Sequence, residues 1–247
     1  MQKSVPTVNT TAMLANVALF SELVSRVLNR KPHLPGIGVF HGFSGYGKTC
    51  AATFAAHKTR AFYLEVGESW TKAKFCRHLL IELGVEPKGT IADMVDRAIE
   101  ALAMTAGRPL IVDEFDHVVK RGYLETVREL HDKSGTPVVI IGEELLPSKI
   151  AQVSERFHGR VLDWVPAQPA DVEDADALAA LYHPHLTVER DLLSHIVTKS
   201  GGRPRRICVN LEKVQAFADV EGLDAVGVKA WGDRPLFTGA APARRAA

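Results

Sequence analysis

The stretch Gly42-Phe43-Ser44-Gly45-Tyr46-Gly47-Lys48-Thr49 constrains the fold more than any other part of the sequence. It fills every fixed position of G-x-x-x-x-G-K-[ST], with an apolar run, Ile37 to Phe40, before it and a helical run, Cys50 to His57, after it. Strand, glycine-rich loop and helix in that order are the context a phosphate-binding loop requires. The glycines let the backbone curl until its N–H groups point at phosphate oxygens. Lys48 then reaches the β- and γ-phosphates, Thr49 offers a hydroxyl to Mg2+, and Cys50 continues the helix whose N-terminus adds its positive end. Residues Gly42 to Cys50 are therefore expected to hold a nucleoside triphosphate.

A second apolar strand is expected at Leu110-Ile111-Val112, ending in Asp113-Glu114. Open α/β sheets bind ligands at the carboxyl ends of their strands. Asp113 placed there can hold Mg2+ with Thr49, and Glu114 can orient and polarise an attacking water. Further buried strands are expected at Ala61 to Val66, at Val138 to Ile141 and around Leu162 to Val165. The fold class that follows is α/β: a P-loop NTPase with a three-layer αβα core and a parallel sheet.

Between these strands the pattern turns helical. Apolar residues recur at helical spacing from Thr11 to Arg30, and Thr90 with Asp93 reads as a capping box opening a helix that Gly107 and Pro109 end. Another helix runs from Leu124 to Asp132. The segment after Trp70 is amphipathic, with Lys72, Lys74 and Arg77 interleaved among Phe75, Leu79 and Leu83. A basic face beside an exposed Trp70 suits nucleic-acid phosphates, although solvated basic faces are the commoner case. Beyond Pro166 and Pro169 the composition changes to helical. The expected division is an N-terminal helical segment (1–34), a nucleotide-binding core (35–166), a helical lid (167–232) and a flexible basic tail (233–247).

The bulk composition narrows the function. A net charge of +1 gives no overall nucleic-acid signal, so any basic surface is local. Cys50, Cys76 and Cys208 are widely spaced, which implies structural thiols and a reducing, cytoplasmic setting. No apolar run is long enough to span a bilayer, and the N-terminus lacks a signal-peptide core, so no membrane partner is expected. His183-Pro184-His185 has no further ligands nearby and reads as a turn.

The order of these parts resembles the AAA+ ATPases: phosphate loop, Asp-Glu strand end, arginines before the last strand, then a helical lid with Gly201-Gly202-Arg203-Pro204-Arg205. More narrowly it resembles the transposition ATPases of the phage Mu B and TnsC-like type. That likeness rests on Glu68-Ser69-Trp70-Thr71, Glu82-Leu83-Gly84, Asp113-Glu114-Phe115-Asp116, Leu124 through Gly142-Glu143, Arg156-Phe157-His158-Gly159-Arg160-Val161, Trp231-Gly232, Pro242 and Arg244-Arg245. Phage Mu B carries an N-terminal helix-turn-helix extension, for which the stretch upstream of Gly42 is too short.

The resemblance implies ATP and Mg2+ as cofactors, with Arg205 as the lid arginine touching the γ-phosphate. It places Arg160 as the arginine supplied to a neighbouring subunit, with Arg156 as second candidate; no acid close in sequence is an evident partner for Arg160. At the end of the Val138–Ile141 strand, where many relatives carry a polar sensor, stand Gly142 and Glu143. A carboxylate facing a γ-phosphate would repel it, so Glu143 is expected to point elsewhere or to act through water. The partners implied are nonspecific double-stranded DNA, a transposase and further copies of the chain in a ring or helical filament. Lys72, Lys74, Arg77, Lys120 and Arg121 would meet the DNA. An ATPase acting on protein partners, as in secretion systems, and a helicase-loader-like ATPase are the alternatives.

Overall fold

A computed structural model describes residues 12–105 and 107–241. The expected tail residues Pro242, Arg244 and Arg245, and the polar N-terminal stretch, lie outside the described residues. Two compact units emerge, dividing between Ala167 and Gln168. One holds residues 16–44 and 48–167, and the other residues 12–15, 45–47 and 168–241.

The first unit is built on parallel strands β1 (Ile37–His41), β2 (Phe62–Glu65), β3 (Leu110–Asp113), β4 (Val138–Gly142) and β5 (Val161–Pro166). Among the described residues they form one five-stranded sheet in the order β2-β3-β4-β1-β5. β1, β3 and β4 are almost wholly buried and read as continuous apolar runs, as parallel strands covered on both faces must. β5 extends one residue further than expected and takes in Pro166, a residue an edge strand tolerates because one side of its backbone pairs with nothing.

Side chains alternate across the sheet. Ile37, Val39, Phe62, Leu64, Leu110, Val112, Val138 and Ile140 join one core. It is completed by α3 (Lys72–Glu82), α4 (Ile91–Ala103), α5 (Phe115–Lys120), α6 (Leu124–Ser134), α7 (Leu146–Val153) and α8 (Glu155–His158). The α4 capping box forms as expected: Thr90 N–H donates to Asp93 Oδ2 at 2.7 Å, and Asp93 N–H to Thr90 Oγ1 at 3.2 Å. The opposite face is covered by α1 (Ala15–Leu28) and α2 (Lys48–Thr59). A Cβ at Gly38 would stand 2.8 Å from Val27 Cγ2 and 2.9 Å from Leu23 Cδ1, so α1 lies directly on β1. Phe20 meets Phe40 edge-on at 5.2 Å. Helices on both faces of a parallel sheet make the three-layer α/β architecture.

The second unit holds α9 (Val172–Tyr182), α10 (Arg190–Ser200), α11 (Pro204–Glu221) and α12 (Val228–Trp231) around Leu192, Ile196, Ile207, Leu211, Val214 and Trp231. A short parallel pair, β6 (Thr187–Val188) with β7 (Ala225–Val226), lies among the helices and was not foreshadowed by the helical periodicity. Residues 233–241, expected to be flexible, are tied down at Phe237. Its N–H donates to Asn210 Oδ1 at 2.6 Å and its carbonyl accepts from Asn210 Nδ2 at 3.0 Å. Asn210 is fully buried and also donates to Ser200 Oγ.

Candidate nucleotide site

The carboxyl ends of β1 and β3 bring the expected residues together. Lys48 and Thr49 open α2, and Asp113 closes β3. Thr49 Oγ1 donates to Asp113 Oδ2 at 2.8 Å, although the two lie 64 positions apart in sequence. Asp113 is 2% exposed, and every bond it accepts fixes its orientation. Tyr63 Oη donates to the same Oδ2 at 3.1 Å, and Glu114 N–H to Oδ1 at 2.8 Å. Burial and the Asp113 charge push the Tyr63 phenol well up, so it stays a donor. Tyr63 is a contributor that the sequence did not reveal, because a tyrosine in a β2 strand is unremarkable by composition.

Lys48 Nζ donates to the carbonyls of Gly42 at 2.6 Å and Phe43 at 3.0 Å. Its pKa is lowered by burial, with Glu114 and Asp113 acting in the opposite direction. Glu114 has φ 56° and ψ 41°, a left-handed conformation that costs a non-glycine residue on the order of 1 kcal/mol or more. Such strain persists where the surroundings over-determine it. Burial, then the neighbouring Asp113 charge, raises the Glu114 pKa, while His117 and Lys48 pull it down. Thr49 and Asp113 are hard oxygen donors of the kind Mg2+ takes. Among the described residues no group of three or more His, Cys, Asp or Glu could hold a metal, so a cation here would lean on substrate oxygens, as Mg2+ commonly does.

The other expected site residues lie on further elements. Arg205 is exposed in the first turn of α11, in the second unit. In that unit the loop tip Gly45 meets Arg203, whose Cδ would lie 3.3 Å from a Cβ placed there. Arg156 is exposed on α8. Arg160 has an acidic partner distant in sequence: its Nε donates to Asp132 Oδ1 at 2.7 Å. Asp132 is 28 positions away and is brought near by α6, while its other oxygen takes Arg128 Nη1 at 2.6 Å. The Glu143 side chain is 62% exposed, with Lys149 Nζ 3.9 Å from its Oε2.

The basic set also divides. At about 100° per residue, Lys74 and Arg77 share one side of α3 while Lys72 lies roughly opposite Lys74. All three are exposed. Trp70 is half-buried rather than exposed, stacked on His78 at 4.4 Å with Lys74 Nζ 5.4 Å from its ring. Lys120 pairs with Glu68 at 3.0 Å, and Arg121 donates twice to the Glu68 carbonyl. Cys50 is exposed, Cys76 buried and Cys208 half-buried, and none is in a disulfide. No helix among the described residues is long and apolar enough to cross a membrane.

Sheet order, phosphate loop and Asp-Glu strand end define a P-loop NTPase of the AAA+ fold. In agreement, a family model described as an AAA domain matches residues 30–150. Among solved structures, the chain is similar to the ORC2 protein of Aeropyrum pernix in its ADPNP–ADP complexes, with TM-score 0.64 and 16% identity over 87% of this chain and 65% of that one. The ORC1 protein of the same organism, solved in complex with DNA, gives TM-score 0.61 and 16% identity over 86% and 61%. Cdc6p of Pyrobaculum aerophilum gives 0.61 and 14% over 90% and 66%. The chain thus spans a little under two thirds of the length of each of these three proteins. No curated protein matches it.

Proposed function

We propose that this chain is an ATP-hydrolysing, DNA-associated AAA+ ATPase whose ATP-bound form assembles with further copies of itself. The observation that carries the reading is the Thr49–Asp113 hydrogen bond of 2.8 Å with Glu114 directly after it. The loop N–H groups and Lys48 bind the phosphates of ATP, with Lys48 exchanging the Gly42 and Phe43 carbonyls for phosphate oxygens. Thr49 and Asp113 would hold the divalent cation, which would neutralise charge on the phosphate oxygens. Glu114 orients the attacking water and accepts its proton. The AAA+ resemblance assigns Arg205 the part of a lid arginine, and Arg160 or Arg156 that of the arginine offered to a neighbour.

The DNA reading is supported by the exposed pair Lys74 and Arg77 on α3, and by a fold shared with an ORC1 protein solved in complex with DNA. The narrower function is regulation of DNA transposition: capture of target DNA and stimulation of a transposase. It rests on the Mu B and TnsC-like resemblance in Glu68-Ser69-Trp70-Thr71, Asp113 to Asp116 and Arg156 to Val161.

The experiment measures ATP affinity by calorimetry, ATP turnover, and binding to random duplex DNA with and without ATP. The parent should bind duplex in an ATP-dependent, salt-sensitive way. Lys48→Ala should lose ATP affinity, and Glu114→Gln should keep it while losing turnover. Duplex binding indifferent to ATP, or unchanged ATP affinity in Lys48→Ala, would sink the reading. Strand-transfer assays with a transposase encoded beside this gene test the narrower function.

A further inference from the structure

The end of β4 lacks the polar side chain expected there, and the structure shows what occupies that space. A Cβ on Gly142 would lie 2.4 Å from Asp116 Oδ2 and 2.6 Å from Leu146 Cδ2. Gly142 has no positive φ, so packing, not backbone conformation, requires the glycine. The Asp116 carboxylate reaches across from α5 into that place. Its Oδ2 accepts the Glu143 N–H at 2.6 Å, and its Oδ1 accepts Lys149 Nζ at 2.7 Å. The Asp116 side chain is only 12% exposed, and its proximity holds the Lys149 ammonium above its ordinary pKa. Glu114, Asp116, Glu143 and Lys149 line one cavity of about 550 Å3.

This clamp sits two residues beyond the strained Glu114. α5 is six residues long, and Glu114 leads into it without a side-chain cap. Such a short helix cannot hold its own first residue in a left-handed conformation, because its few internal bonds are weak. Its inner side is fixed by Phe115, Val118 and Val119. Its far end is tied to Glu68 through Lys120 and Arg121. Glu114 N–H is bonded to Asp113 Oδ1, and within α5 Asp116 supplies the next polar anchor, through two charge-assisted bonds, which are about twice as strong as neutral ones.

We infer that Asp116 is a positioning residue: by pinning α5 to the β4 tip and to α7, it holds the Glu114 carboxylate where it meets the attacking water. The inference rests on the ATPase reading above. Asp116 acts through the backbone it anchors. Misplacing a catalytic group by about 1 Å costs on the order of a hundredfold in rate without weakening ground-state binding.

The test compares steady-state ATP turnover and equilibrium affinity for a nonhydrolysable ATP analogue in the parent, Asp116→Asn, Lys149→Met and the double variant. Asp116→Asn should lower kcat roughly ten- to a hundredfold while KM and analogue affinity stay within about twofold. Lys149→Met leaves the Glu143 bond in place and should cost less. The double variant should be no slower than Asp116→Asn alone, because both act through one clamp. A parental kcat in Asp116→Asn, or a matching loss of analogue affinity, overturns the role. If Asp116→Asn fails to fold by circular dichroism, Lys149→Met decides: a several-fold lower kcat at unchanged affinity supports the clamp, and a parental kcat overturns it. A parent that neither binds nor hydrolyses ATP refutes the ATPase reading and this role with it, whereas full turnover in a folded Asp116→Asn refutes the role alone.

Discussion

Replacing Arg160 by alanine sets two magnitudes against each other. Its ion pair with Asp132, at 2.7 Å, joins side chains that are 46% and 24% exposed. A pair of that exposure contributes about 0.2–1 kcal/mol. An arginine supplied to a neighbour's γ-phosphate accelerates transfer by about 10³–10⁵, which corresponds to ~4–7 kcal/mol of barrier. The second term is several times the first, so a neighbouring phosphate draws Arg160 off Asp132 at small cost. Arg160→Ala should therefore keep ATP affinity and lose at least two orders of magnitude in DNA-stimulated turnover. Asp132→Asn should leave turnover at or above the parental level, and Arg128 keeps its 2.7 Å bond to Glu125 in that variant. The assay is ATP hydrolysis with DNA present, run on each variant and on a mixture of Arg160→Ala with Lys48→Ala. In mixed junctions an intact phosphate loop faces an intact arginine, so partial activity should return. Turnover within threefold of the parent in Arg160→Ala, or no recovery on mixing despite confirmed co-assembly, refutes the trans role; Arg156 then takes its place in the same experiment.

The α3 surface gives a sharper DNA test than the sequence did: Lys74→Ala with Arg77→Ala should weaken duplex binding across all sequences. It should also flatten the salt dependence by a slope of about one per lost phosphate contact, whereas Lys72→Ala alone, on the other side of the helix, should do less. A double variant with the parental salt slope shows a merely solvated face. Burial lowers the pKa of His131, whose Nδ1 bonds the Thr136 carbonyl at 2.8 Å. The unfolded chain then binds the proton more readily than the folded one, so this contribution to stability is complete above the ordinary histidine value and is lost as pH falls below it. Denaturant midpoints should drop on acidification from pH 7 to pH 5.5, and His131→Gln should show a shallower drop; equal slopes reject the assignment. Asn210→Ala leaves Ser200 and both Phe237 backbone groups without a partner and should cost about 1–3 kcal/mol, read as a lower thermal midpoint and faster proteolysis after Trp231.

Strands, phosphate loop and Asp-Glu end were legible because they depend on local chemistry: apolar runs, glycines at fixed spacing, and a carboxylate closing a buried strand. α5 and α7 were not foreseen. Each is short, and α7 opens on Leu146-Pro147, where the helical pattern is brief and a proline sits among the first residues. The partners of Arg160, Tyr63 and Asp116 lay beyond reach for another reason. Asp132, Asp113 and Glu143 meet them only once the sheet has ordered distant segments side by side. Gly142 shows the same limit, since a glycine at a strand end reads as a turn until the carboxylate that excludes its side chain is seen. Lys72, Lys74 and Arg77 read as one basic run along the chain, while helical geometry sends Lys72 and Lys74 to different sides of α3.

The strand order β2-β3-β4-β1-β5 also bears on how the molecule is made. β1 leaves the ribosome before its two neighbours, β4 and β5, which are encoded roughly a hundred residues later. Until they emerge, the strand carrying the phosphate loop has both edges open, a state prone to pairing with other chains. β2 and β3, which are adjacent in the sheet and appear sooner, can pair while β1 waits. Closing the sheet therefore inserts β1 between strands on either side through long-range contacts of the kind that slow folding. Competence to hold nucleotide arrives only when the last core strand takes its place.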